Sequence, residues 1–542
     1  MTSIMLRGGH VYTPVDPFAT AMLIIDGTIR WIGSDTGADV HRDAASTVID
    51  LAGALVTPAF VDAHIHATAT GLLGTGLDLS HCHSSDDLLA LLRTDAPAHG
   101  VVWGHGWDES AWADGRLPSR AQIDEVLPGR VVYLARTDVH SALVSSALLN
   151  LLPAASADPV HTWPGFHPQG PISQHTHAIA RSVAFDRLGT TQRVAAQQWT
   201  LGRATSRGIA SVHEMAGPKI SSAEDLKSLT ALVAEDAFAP ELVSYWGALL
   251  EVDQARALGA QGCAGDLFID GSIGSHTAAI RTAYADAPGD SGAAYLSIEE
   301  VGQHVRACTL AGLQAGFHVI GDHAIDIAMA GFAIAAEDVG DERLRQVRHR
   351  LEHVEMLHPE HIDQMARWGI VASMQPAFDA RWGGESGMYA SRLGRPRSDT
   401  LNPFAQLSQT GVCLAWGSDA PVTPLDPWAS VRAAAFPHVA EHAISVRASF
   451  AAHTRGGRRA AGQELHQPGV LREDAPATLA IWAPSDLVVQ APDSRISAWS
   501  TDARSGTPGL PDVAPGAALP QCWLTMRDGE VIFDTQALEL SP

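Results

Sequence analysis

Lysine is almost absent from this chain: of its 36 basic residues only Lys219 and Lys227 are lysines, and the rest are arginine. Positive charge of any kind is scarce, with 60 acidic residues leaving a formal net charge of -24. Nucleic acid and anionic membrane would both be repelled, so neither is expected as a partner. Cysteine is sparse as well. Cys82, Cys263, Cys308, Cys413 and Cys522 show no paired spacing, which excludes a disulfide framework and fits reduced thiols in a cytosolic enzyme. There is no apolar run of membrane-spanning length, and "MTSIMLRGGHVYTP" lacks the basic-then-apolar plan of a signal peptide. The expected location is therefore cytoplasmic.

What the chain does have is apolar mass. At 542 residues, 46% hydrophobic and 18% charged, it can build one large core, and a barrel with insertions would account for most of the length. "AMLIIDGTIRWIG" near the start and "WLTMRDGEVIFD" near the end each place β-forming residues around Asp-Gly, a strong hairpin signal. Between them, strand-like runs ("GIASVHEM", "GDLFIDGS", "LQAGFHVIG", "VRHRLEHVE", "GIVASMQP", "GVCLAWGSD") alternate with helix-like stretches such as "SIEEVGQHVRACTLAG" and "LHPEHIDQMARWG". Such alternation predicts an α/β fold, a (β/α)8 TIM-type barrel over residues 58–465. Residues 1–57 and 466–542 are expected to pair as one small β-sandwich domain. The less regular stretch from about 78 to 193 reads as an insertion over the barrel mouth.

The chemistry begins at "TPAFVDAHIH", where an apolar strand closes on His64 and His66, two residues apart and so on one side of the strand. Two neutral imidazoles there can grip one ion. His318 closes "LQAGFHVIGD", His353 closes "RHRLEHVE" and Asp419 closes "VCLAWGSDAPV". Singly, each reads equally well as a satisfied core histidine or a helix-capping aspartate. Together they place four histidines and an aspartate at the C-terminal ends of successive strands, where such barrels carry their chemistry.

"VDAHIH", "FHVIGDHAID", "LEHVE", "WGSDAPV", "FIDGSIGSHTAAI" and "GHGWDESAW" resemble the amidohydrolase superfamily. Within it they resemble the YtcJ-like metal-dependent amidohydrolases, the group that includes N-substituted formamide deformylases. The resemblance implies a hydrolase that cleaves a carbon–nitrogen bond, amide or formamide, of a small, partly apolar substrate with activated water. The same site could instead deaminate an amino-heterocycle, and a binding protein on a decayed scaffold is the reading from a different class. The resemblance further implies metal ligation by His64, His66, His318, His353 and Asp419, with Asp419 and His353 catalytic. The cofactor it implies is zinc, one ion preferred, with two ions and other divalent metals left open.

One departure stands out. Relatives with two metals bridge them through a carboxylated lysine shortly before the Asp-Gly-Ser segment, and here Asp266 stands at that place, in "CAGDLFIDGS". Asp266 can serve in the lysine's stead only if the backbone comes closer, and Glu214 in "SVHE" is the other available carboxylate. Trp103, Trp107, Asp108, Asp138 and His140 match segments that line the substrate cavity in the group. His276 stands where relatives more often have arginine. The histidine-rich stretch "HTWPGFHPQGPISQHTHAIA" is a minor candidate for a further metal site. The expected partner is a small-molecule substrate, and a homodimer is compatible with the sequence.

Overall fold

A computed structural model describes residues 2–541 apart from 110–111, 113–114, 138–140, 154–158, 491–498 and 501–507. Asp138 and His140 lie outside the described residues.

Eight strands form one all-parallel sheet: β1 (Phe60–Ile65), β2 (Ile209–Ala216), β3 (Glu241–Trp246), β4 (Gly262–Cys263), β5 (Gln314–Val319), β6 (Arg350–His353), β7 (Val371–Met374) and β8 (Leu414–Trp416). They follow one another in chain order, which parallel pairing through crossover connections requires. All residues of β1, β2 and β5 to β8 are buried, as expected of strands covered on both faces. The sheet nearly closes on itself. Ile65 bridges Ala420 in parallel, the Asp419 amide donates to the His64 carbonyl at 2.8 Å, and the Ser418 amide donates to the Asp62 carboxylate at 2.9 Å.

The two anticipated helices are present, at Ile298–Ala311 and Pro359–Trp368. The first opens on a capping box of Ser297 and Glu300 and stops at Gly312, whose φ of 70° suits glycine at a helix end. Two strand expectations change. "GDLFIDGS" is not a continuous strand: regular pairing covers Gly262–Cys263, and one further bridge joins Phe268 to His318. Gly265, at φ 94°, breaks the run, and a Cβ there would lie 2.8 Å from the Met215 sulfur. "ELVSYW", between Pro240 and Gly247, forms β3, which the sequence reading passed over.

The terminal segments build two further five-stranded sheets. In one, Ser3–Arg7, Ala21–Ile25, Thr28–Gly33 and Thr47–Asp50 are joined by Glu539–Ser541. In the other, His10–Val11 and Leu55–Pro58 are joined by Leu479–Trp482, Cys522–Arg527 and Glu530–Asp534. The two Asp-Gly hairpins therefore belong to different sheets, although each sheet mixes both chain ends. One hydrophobic cluster, with Leu6, Met22 and Ile24 from the first sheet and Val56, Leu479 and Met526 from the second, is common to them.

The chain divides into two compact units, residues 1–65 with 202–217 and 233–542, and residues 66–201 with 218–232. The second unit is thus wider than the insertion expected from sequence. It holds its own five-stranded sheet, Leu77–Asp78, Val102–Trp107, Val132–Arg136, Ser141–Val144 and Ile172–Ser173. Its core includes Leu88, Val102, Trp107, Ile123 and Leu134. Among the described residues no helix is long and apolar enough to cross a membrane.

Candidate metal centre

The first unit carries its polar side chains at the C-terminal ends of the barrel strands. His64 comes from β1, His318 from β5 and His353 from the last residue of β6, while Asp266 follows β4 and Asp419 follows β8. Asp266 Oδ1 lies 3.6 Å from His64 Nε2, 3.6 Å from His318 Nδ1 and 3.7 Å from His353 Nε2. Asp419 Oδ1 lies 3.5 Å from the same His64 nitrogen. His318 Nδ1 and His353 Nε2 are buried and have no hydrogen-bond partner among the described residues.

The opposite nitrogen of every ring is engaged. His64 Nδ1 pairs with Glu352 Oε2 at 2.9 Å, His318 Nε2 with the Gly271 carbonyl at 3.2 Å, and His353 Nδ1 with the Gln375 amide oxygen at 2.7 Å. Each partner is an acceptor, so each ring donates an N–H outward and leaves its other nitrogen facing Asp266. That arrangement is the usual way a protein orients histidines for a cation. Glu352, Gln375 and the Gly271 carbonyl were not anticipated from sequence. The Glu before His353 reads as an ordinary strand residue, and only the β1–β6 juxtaposition gives it a role.

Electrostatics point the same way. Burial opposes a charged imidazole at His64, yet Asp266 and Asp419 hold it well above the usual histidine range. Burial also opposes the Asp266 charge, but His64 above all, with His318 and His353 beside it, keeps that carboxyl well below the usual carboxylate range. The carboxylates thus create a negative site that a bound cation would neutralise. The donor set, imidazole nitrogen with carboxylate oxygen, is one that zinc accepts.

The surrounding backbone is specialised. His353 has φ 70° and Asp419 φ 52°, left-handed values uncommon outside glycine. Such strained positions persist where the surroundings fix them, typically at sites of function. Asp270, of the Asp-Gly-Ser segment, accepts amides from Ala279 (2.9 Å), Ile320 (3.0 Å) and Gly321 (2.8 Å), tying that loop to the end of β5.

The remaining sequence candidates have the following places. His66 directly precedes the helix Ala67–Thr75 of the second unit and is buried. Trp103 and Trp107 are core residues of that unit rather than exposed contacts. Trp103 packs on Tyr133 and Phe185, and Trp107 donates its indole N–H to the Leu134 carbonyl at 2.8 Å. Asp108 pairs with Arg136 at 2.9 Å. Glu214 is buried in β2, in none of the metal-capable groups formed by the described residues. His276 pairs with Asp286 at 2.9 Å. The histidine-rich stretch forms no metal-capable group among the described residues, and its His177 is bonded to the Tyr133 hydroxyl at 2.8 Å.

A second buried cluster, Cys263, His304 and Cys308, has the elements of a soft-metal site. Hydrogen bonding accounts for its histidine: Nδ1 accepts from the Leu250 amide at 3.0 Å, so Nε2 carries the proton and donates to the Cys263 carbonyl at 2.8 Å.

The family model described as the amidohydrolase family matches residues 47–533, nearly the whole chain. The chain belongs to the amidohydrolase family. The putative amidohydrolase YtcJ of Bacillus subtilis is 26% identical over 460 residues, covering 79% of this chain and 82% of that protein. The N-substituted formamide deformylase of Arthrobacter pascens is 22% identical over 456 residues, covering 79% and 82%. Protein LONG AFTER FAR-RED 3 of Arabidopsis thaliana is 26% identical over 514 residues, covering 87% and 86%. In fold, the chain is similar to an uncharacterized metal-dependent hydrolase from Pyrococcus furiosus, with a TM-score of 0.73, 24% identity and coverage of 88% of this chain and 98% of that one. Within the amidohydrolases the chain is YtcJ-like, a metal-dependent hydrolase acting on carbon–nitrogen bonds.

Proposed function

We propose that this amidohydrolase cleaves the amide or formamide bond of a small, partly apolar substrate at a single zinc-class ion. The proposed ligands are His64, His318, His353, Asp266 and Asp419, together with His66 from the sequence pattern. The observation that carries the reading is the set of three imidazoles whose outer nitrogens are tied to acceptors while their inner nitrogens face one Asp266 oxygen. Ligands about 2.1 Å from a four-coordinate ion stand roughly 3.4 Å apart. The spacings of 3.5 to 3.7 Å, each between one carboxylate oxygen and one ring nitrogen, are those of groups that share an ion, and Asp266 serves where relatives carry the bridging lysine.

A divalent cation at this place supplies Lewis acidity and lowers the pKa of water to near 7. The chain's own groups do the rest. Asp419, beside His64, takes the proton from the attacking water and returns it to the nitrogen as the carbon–nitrogen bond breaks. His353, fixed by Gln375 and stacked on Phe378 with ring centroids 5.9 Å apart, would hold the cation that polarises the carbonyl under attack. The two terminal sheets with their common core form the composite β-sandwich, and the protein works in the cytoplasm.

Asp419→Asn keeps size and a ligand oxygen but removes the base. Turnover on N-acyl or N-formyl amines is expected to fall by roughly 10²-fold or more while metal is largely retained. Near-normal turnover with metal in place would remove Asp419 from the proton-transfer role. Ammonia release from amino-heterocycles, without amine release from N-acyl compounds, would replace amide hydrolysis with deamination.

A further inference from the structure

Beneath the centre lies a buried ion pair whose position suggests more than packing. Arg350 and Glu352, both fully buried on β6, are joined by Arg350 Nε to Glu352 Oε1 at 2.5 Å and Nη2 to Oε2 at 3.0 Å. The guanidinium is clamped from several strands. Nη2 also donates to the Ala63 carbonyl of β1 at 2.7 Å and to Ser373 Oγ of β7 at 2.8 Å, Nη1 reaches His213 Nδ1 of β2 at 3.3 Å, and the group lies 4.5 Å from the Tyr245 ring centroid of β3. Glu352 is therefore held in one orientation. Its Oε2 faces His64 Nδ1 at 2.9 Å, and His64 Nε2 faces Asp266 and Asp419.

We infer that Arg350 and Glu352 are positioning residues, set to hold His64 in the tautomer that presents a bare Nε2 to the ion. The inference rests on the metal-centre reading given above. Of the three acceptors that orient the histidines, Glu352 alone is a carboxylate, and a carboxylate strengthens the donor power of the imidazole it receives. Arg350 has a second effect. By occupying both Glu352 oxygens it fixes the carboxylate on the far side of His64, where it orients a ligand instead of competing to be one.

The substitution Glu352→Gln makes a sharp prediction. An amide has one acceptor oxygen where the carboxylate has two, and the Arg350 N–H groups compete for it. His64 Nδ1 is then left facing an N–H donor, which favours a proton on Nε2 and turns that proton into the metal site. The loss of such an outer partner typically weakens metal binding 10- to 100-fold. Because Glu352→Gln strands a buried guanidinium, a second variant, Arg350→Met with Glu352→Leu, removes both charges together, an exchange that folded proteins generally tolerate.

The experiment is Zn2+ titration of metal-free full-length protein against a chromophoric chelator, alongside its thermal unfolding without metal. The expected result is a Zn2+ affinity 10- to 100-fold below wild type in each variant that folds, with the metal-free melting temperature of the double variant near that of wild type. Wild-type affinity in either folded variant would overturn the inference. Failure of both variants to fold would overturn it too, assigning the pair to the core alone. A wild-type protein that takes up no Zn2+ would instead overturn the metal-centre reading on which the inference stands.

Discussion

His304 shows how a single buried residue converts hydrogen bonding into pH dependence. Burial pushes its pKa down to about 4, outweighing the hydrogen bond to the Cys263 carbonyl, which favours the charged ring. The unfolded chain takes up that proton near pH 6.5, so the unfolded state binds more protons between pH 6.5 and about 4. His304 therefore costs stability progressively as pH falls through that window. His304→Gln should make the melting temperature less dependent on pH between 6.5 and 4 than it is in wild type. An unchanged slope in denaturation scans would mean that the ring is accessible to a proton in the folded state. At this same scale the sequence revealed some residues and hid others. His64, His318, His353 and Asp419 were legible because each closes an apolar strand. Glu352 and Gln375 were hidden because their roles exist only once β6 and β7 stand beside the centre. Trp103 and Trp107 lie in hydrophobic clusters, and from sequence a tryptophan next to glycine and aspartate reads alike in a cleft and in a core.

Among the elements, the Asp-Gly turns carry the clearest constraint. Asp26 and Gly27 (φ 46° and 74°) and Asp528 and Gly529 (φ 50° and 87°) are both left-handed pairs, the geometry of a two-residue hairpin. The two turns also meet. A Cβ on Gly529 would lie 2.3 Å from the Gly27 Cα, and one on Gly27 would lie 2.2 Å from the Asp528 carbonyl oxygen. Gly529→Ala should thus cost roughly 2 kcal/mol or more, combining strain with a backbone clash. Gly516→Ala, at a similar φ of 89° but with open space around it, should cost about 1 kcal/mol. Equal shifts in denaturant midpoint for the two variants would contradict the contact between turns. The hairpins themselves were legible from Asp-Gly between β-forming runs. Their assignment to separate sheets was not, since it depends on Leu55–Pro58 pairing with Leu479–Trp482 across more than four hundred residues of chain.

For the molecule as a whole, alternating strands and helices were enough to indicate a parallel barrel, while its bookkeeping of strands was not. β3 escaped notice because "ELVSYW" is short and flanked by proline and glycine, and the fourth run was placed too late because its ladder ends before Asp266. That early end helps explain the centre: free of the ladder, the chain after β4 brings the short Asp266 carboxylate to within 3.7 Å of three imidazoles. Metal stoichiometry follows from it. With one Asp266 oxygen common to the three rings, elemental analysis of the purified chain should give close to one equivalent of divalent ion. Two tightly held equivalents would make Asp266 a bridge between ions.

The most direct test of the account is amine release from a panel of N-acyl and N-formyl amines, measured on the protein as purified, after chelation to a metal content verified by elemental analysis, and after Zn2+ is restored. The account predicts turnover on at least one compound, its loss on chelation and its recovery with Zn2+. Amine release that continues at the original rate in verified metal-free protein would contradict it.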